Sequence, residues 1–251
     1  MINSKRKSII KYILRWEKSV HEGKSHLLVF KKIYETNFWG GRESVSGTGS
    51  SLYQTRALRK ALLGIFENLQ IETILDIPCG DFHWMKEVIS DPIQYIGADV
   101  VDALIKQNNA TYSSDHLSFE HMDLLTTPLP KVDLIFCRDC FVHFSFQDIH
   151  AAISQILQSG SKYILTTSFP EEKFNFDIHT GDWRPINLEL APFYFPKPVL
   201  IIDEECEESG GRYQDKSMFL WEVSSLDFIQ NRRFNASKLN SVIHALFGKI
   251  R

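Results

Sequence analysis

The stretch ILDIPCGD at residues 74–81 decides the fold. A short apolar run ends in a Pro and a Gly and is followed by an acid, the pattern of a strand feeding a tight turn. Gly80 has no Cβ, so the backbone can turn sharply there and approach a ligand closely. Pro78 stands where nucleotide loops often carry their first glycine, and Asp81-Phe82-His83-Trp84 follows with no third glycine. A dinucleotide loop needs G-x-G-x-x-G opening a helix whose N-terminus receives a pyrophosphate. Here Asp81 would repel a diphosphate. The turn therefore suits a cationic ligand.

Outward from this turn the chain alternates. Strands are expected at 73–77, 94–99, 117–121, 132–137 and 161–168. Helical periodicity is read in the segments FHWMKEVIS, VDALIKQNNATYS and FQDIHAAISQILQSG between them, and in TRALRKALLGIFENLQ upstream, with Leu58, Leu62, Leu63 and Phe66 as its face. The alternation predicts an α/β fold, a parallel sheet with helices on both faces. Strands at 199–203 and 217–223, joined by a polar loop, predict a hairpin at the sheet edge, and the EECEE run at 204–208 reads as a solvated loop.

The 251 residues, 43% hydrophobic and 24% charged, fit one such domain with extensions. A net charge of −3 gives no general attraction to nucleic acid. Four cysteines are too few for a disulfide scaffold, so a reducing cytoplasm is the expectation. No stretch approaches the roughly 20 apolar residues of a membrane span, and a secretory signal is not expected. Residues 1–35 are expected to form a basic helical extension, with Ile9, Ile10, Ile13 and Leu14 on one face. It packs as a lid or makes a peripheral membrane contact. Residues 36–225 would be the main domain, with a Gly/Ser-rich lid at 36–55 and an insert at 170–198; 226–251 would be a basic tail. Oligomeric state is not legible.

Successive strands end in acids. Asp76 closes the first, Asp99 the second 23 residues later, Asp123 follows the third, and Cys137-Arg138-Asp139 ends the fourth. Asp99 is placed to accept hydrogen bonds from ribose hydroxyls. Any one such acid could simply cap its turn.

The four strand ends ILDIPCGD, YIGADV, HMDLL and VDLIFCRDCFVHF together resemble the class I S-adenosylmethionine-dependent methyltransferases, over about residues 70–225. The resemblance implies a Rossmann-like, doubly wound, seven-stranded sheet with an antiparallel last strand. The implied cofactor is S-adenosyl-L-methionine. Asp76, Pro78, Cys79 and Gly80 would line its methionine part, Asp99 would hold the ribose, Asp123 with Leu124 the adenine, and Arg138 would lie near the sulfonium. Pro78 departs from the family's usual Gly.

Methyl transfer to a hydroxyl needs a base. Asp139 and His143 follow the fourth strand at i, i+4 and are the catalytic candidates, each also readable as a packing residue. Trp39, in the WGGRESVSGTGSSLYQT loop, would cover cofactor or substrate unless the loop is merely solvated. In the insert, Asp177, His179, Asp182, Trp183, Arg184 and Asn187 are polar or amphipathic groups among aromatics, a mix that suits a sugar-like acceptor. Arg184 could pair with an acidic group on it. The expectation is thus an enzyme acting on a small polar acceptor, a sugar or glycan-related hydroxyl. The alternatives are RNA or other N/O-methylation, suggested by basic termini, a nicotinamide-dependent oxidoreductase, and a non-catalytic cofactor-binding module. Cys137-x-x-Cys140 lacks a second Cys pair, so no metal is expected.

Overall fold

The structure, a computed structural model, describes residues 25–227. The first twenty-four residues, with the face at Ile9–Leu14, and the tail beyond residue 227 lie outside the described residues. Seven strands form one sheet: β1 (Thr73–Asp76), β2 (Gln94–Asp99), β3 (Leu117–His121), β4 (Leu134–Cys137), β5 (Tyr163–Ser168), β6 (Leu200–Asp203) and β7 (Ser217–Glu222). Their order is β3-β2-β1-β4-β5-β7-β6. The first five are mutually parallel, β7 runs antiparallel to β5, and β6 pairs antiparallel with β7 at the edge. This is the expected mixed sheet with its terminal hairpin.

Four helices flank it: α1 (His26–Glu35), α2 (Arg56–Asn68), α3 (Asp102–Tyr112) and α4 (Phe146–Ser159). Strands β4 and β5 are buried at every position, as strands covered on both faces must be. Alternate side chains go to opposite layers. Leu75 and Ile135 pack in the cluster that holds Ile149, Ala152, Ile153 and Ile156 of α4. Ile74, Leu134 and Phe136 pack in the cluster that holds Leu58, Leu62, Ile65 and Phe66 of α2. Local signals set the ends of α4: the Ser145 hydroxyl accepts the Asp148 N–H, and Gly160 takes the left-handed conformation with φ +65°.

Two expectations change. On α2, Leu63 faces solvent and Ile65 takes the core position, since the buried stripe follows residues 58, 62, 65 and 66. FHWMKEVIS holds only a single 3-10 turn, Met85–Glu87, rather than a regular helix. Its Phe82, Trp84, Met85, Val88 and Ile89 are nevertheless all buried. Phe82 adopts φ +56° and packs on Tyr95, Tyr112 and Phe119. Consequently no regular helix follows the Gly80 turn, and no helix N-terminus is present there to receive a pyrophosphate.

Candidate active site

Strand order reverses between β1 and β4, and a deep cavity opens beyond the carboxyl ends of the strands at this switch point. Every residue expected at the cofactor lines it: Asp76, Pro78, Cys79, Gly80, Asp99, Asp123, Leu124 and Arg138. Asp139, His143 and Trp39 line it too. Gly80 has φ +55°, and a Cβ there would meet the Ser46 hydroxyl at 2.1 Å, so the turn and the loop above it leave room for no side chain. Asp99 fixes this turn by accepting the Gly80 N–H at 3.2 Å and the Val101 N–H at 2.9 Å.

The carboxylates differ in charge balance. Burial pushes Asp76 up to about 8, although the Tyr95 hydroxyl donates to it at 2.6 Å. Burial likewise pushes Asp99 up to about 6, against the opposing backbone hydrogen bonds. Neither acid has an ion-pair partner among the described residues, although Arg138 lowers Asp76 and His121 lowers Asp99 without outweighing burial, and a cationic ligand would add to them. Asp139 is the reverse case. Burial alone would raise it, but Lys216 Nζ at 2.6 Å and Arg138 at 3.2 Å hold it well below the ordinary carboxylate range. It is a poor proton acceptor, which counts against its expected role as base.

His143 is placed differently. Burial pushes its pKa down, so the neutral ring dominates at neutral pH. Its Nδ1 lies 2.8 Å from the Asp182 carbonyl oxygen. A carbonyl only accepts, so Nδ1 carries the proton and Nε2 keeps its lone pair. Trp39 lies against the ring, with centroids 4.8 Å apart and planes at 30°.

The insert braces His143 instead of lining the cavity. The Gly181 N–H donates to the His143 carbonyl and the Arg184 N–H to that of Val142. Arg184 requires a correction: its side chain is fully buried and its guanidinium donates to the carbonyls of Phe141, Phe144 and Phe176, so no substrate anion can reach it. Trp183 is corrected as well, since it lies outside the cavity and packs on Tyr213 and Phe169. His179 and Asp182 line a separate polar pocket with Asp148 and Asp177.

Several participants escaped the sequence reading. His26 on α1 reaches the Asp123 carboxylate at 3.0 Å, which raises the His26 pKa. Asp123 also accepts from the Leu125 N–H and the Thr126 hydroxyl, so it caps its own turn. Asn108 of α3 is buried and donates to the Gly80 carbonyl at 2.8 Å. Asp81 anchors the Gly/Ser-rich loop by accepting from the Ser44 hydroxyl and the Val45 N–H. The 204–208 run is no solvated loop. Glu204 is buried in a two-point pair with Arg138, Glu208 accepts from Thr48, and Glu207 from Tyr53 and Arg56. An Asn interrupting a helix, or an acid run closing a hairpin, is the faint signal that could have marked them.

The acids at the strand ends, the glycine turn and the reversed strand order meet in one cavity, and residues 74–160 match the sequence model of a methyltransferase domain family. These residues are similar to a methyltransferase domain. The fold of the chain is that of the class I, S-adenosylmethionine-dependent enzymes. Human N-acetylserotonin methyltransferase, solved in complex with S-adenosylmethionine, is 13% identical, with 76% of this chain and 58% of that chain covered at a TM-score of 0.52. Magnesium protoporphyrin IX methyltransferase from Synechocystis PCC 6803, with bound S-adenosylmethionine, is also 13% identical, covering 62% of this chain and 81% of that chain at a TM-score of 0.44. The chain thus spans little more than half the length of the first of these. No curated protein sequence matches it. The two raised acids, the Gly80 turn and the missing helix N-terminus would suit a cationic ligand such as S-adenosylmethionine. Among the described residues, no helix is long and apolar enough to cross a membrane, and no group of three or more His, Cys, Asp or Glu could hold a metal.

Proposed function

We propose that the protein transfers a methyl group from S-adenosylmethionine to a hydroxyl of a small acceptor, with His143 as the base. The bound cofactor supplies an electrophilic methyl group. The chain's own part is to hold the cofactor and to hold and deprotonate the acceptor. In this reading the 76–80 segment and Asp99 bind the cofactor, and α1 with the 36–55 loop forms a lid over a catalytic unit reaching to about residue 225. The observation that carries the role of His143 is its Nδ1–H bond to the Asp182 carbonyl, which leaves a neutral ring with a lone pair at the cavity. Gly181 and Arg184 act as positioning groups behind it. A sugar acceptor draws less support, because the polar insert side chains that suggested it lie outside this cavity.

The test is S-adenosylhomocysteine production together with its dependence on His143. His143→Ala is expected to lower kcat about 10²–10⁴-fold, the usual contribution of a general base. Cofactor affinity, measured by calorimetry, should change little. Wild-type rates in the variant would remove His143 from the mechanism.

A further inference from the structure

Several aromatic rings line the cavity together with His143, alongside Ile33, Val45, Ser46, Ser50 and Asp139. Phe30 and Tyr34 come from α1, Trp39 from the loop and Phe144 from the segment after β4. Trp39 lies against His143, and Phe30 packs on Phe144 with centroids 5.9 Å apart. Several polar groups of the lining are engaged by the protein itself: His26 by Asp123, His143 Nδ1 by the Asp182 carbonyl, and Asp139 by Lys216 and Arg138. A polyhydroxylated ring brings many hydroxyls into a site and needs many partners there, since each unmatched polar group costs free energy. A flat ring with one hydroxyl needs little more than the lone pair of His143.

We propose that the acceptor is a small planar aromatic molecule bearing an acidic, phenol-like hydroxyl, held between Trp39 and the Phe30–Phe144 pair with that hydroxyl at His143. The inference rests on the methyl-transfer reading above. In the step, the phenolic oxygen forms a bond to the methyl carbon as the carbon–sulfur bond breaks. The phenolic proton passes to His143 Nε2, and S-adenosylhomocysteine leaves neutral at sulfur. Proton affinities agree with this class. A phenol titrates near about 10, whereas an alkyl hydroxyl resembles water at about 15.7. Burial makes His143 a weaker base than free imidazole. It lies several powers of ten closer to a phenol than to a sugar hydroxyl.

The test uses the full chain. Calorimetry with S-adenosylmethionine first checks the cofactor site by itself. Three acceptor panels follow: catechols and hydroxylated heteroaromatics, free sugars and glycosides, and primary amines. S-adenosylhomocysteine formation is the readout. The phenol panel alone should turn over, faster as the phenol becomes more acidic, and kcat/KM should rise with pH through the imidazole titration. With S-adenosylhomocysteine bound, the phenols should raise Tm and the glycosides should not. Trp39→Ala should raise KM for the phenol at least tenfold and leave cofactor Kd within twofold, with Trp39→Phe restoring most of the loss. Turnover only with sugars or amines would overturn the acceptor class and leave methyl transfer standing. Cofactor binding with no turnover and no phenol-induced Tm shift would also overturn it. Failure to bind the cofactor would instead overturn the underlying reading.

Discussion

Two regions of one cavity use the same residue type in opposite ways. At the ends of β1 and β2, Asp76 and Asp99 are buried with no ion-pair partner among the described residues, and burial raises both toward neutral pH. At the end of β4, Asp139 faces Lys216 and Arg138, which in turn engage Glu204. A positive ligand beside the first pair would lower both. The second is already neutralised by the protein. An acid at a strand end therefore says little about its role until its charge partners are known.

The sharpest way to break this comparison is to remove the acid that is already paired. Asp139→Asn should destabilise the fold by about 1–3 kcal/mol, because it leaves the buried Lys216 short of a charge partner while Asp139 itself is partly exposed. Lys216 keeps Glu204 at 3.5 Å and Glu208 at 3.8 Å, which limits the loss. Chemical denaturation measures the effect. The folded fraction should keep the wild-type shape of its pH–rate profile. A lost acidic limb would make Asp139 the base after all.

The unpaired side gives the next effect. Asp99→Asn can keep only one of the two acceptor contacts that hold Gly80 and Val101. It also removes the negative charge. Cofactor Kd should rise about 10–100-fold, the range of a lost charge-assisted hydrogen bond. Unchanged affinity in calorimetry would mean that Asp99 serves only the turn.

The contrast also explains what the sequence could reveal. The strands and their acid ends were legible because they rest on local period and on a run of short turns, as in ILDIPCGD and YIGADV. Gly80 was legible as a turn. The partners of the acids were not. Lys216 reaches Asp139 across 77 residues, and Glu208 reaches Thr48 across 160, so no spacing rule connects them. Arg184 misled for a related reason. Its acceptors are backbone carbonyls, which every residue carries, so nothing in the sequence separates a bracing Arg from one that meets a substrate. FHWMKEVIS looked helical because apolar residues recur, yet its backbone turns at Phe82, with φ +56°, and holds only one 3-10 turn.

The smallest expected effect reads the charge contrast directly. S-adenosylmethionine carries one positive charge more than S-adenosylhomocysteine, at the sulfur. Asp76 and Asp99 titrate near about 8 and about 6, both far above ordinary carboxylates. As pH rises through this window they ionise, and each ionisation favours the charged ligand over the neutral one. The ratio of affinities for the two ligands should therefore grow several-fold between pH 6 and pH 8. Even a tenfold change would take only about 1.4 kcal/mol of added attraction for the sulfonium. Asp139 cannot produce this trend, since its own titration lies far below the window. Taking the ratio at each pH cancels groups that respond alike to both ligands, and repeating it with His143→Ala removes the ring proposed to lie beside the transferred methyl. Calorimetric titrations at five pH values would measure it, and Asp76→Asn should flatten the upper part of the rise. A flat ratio in the wild-type protein would mean that neither acid senses the sulfonium.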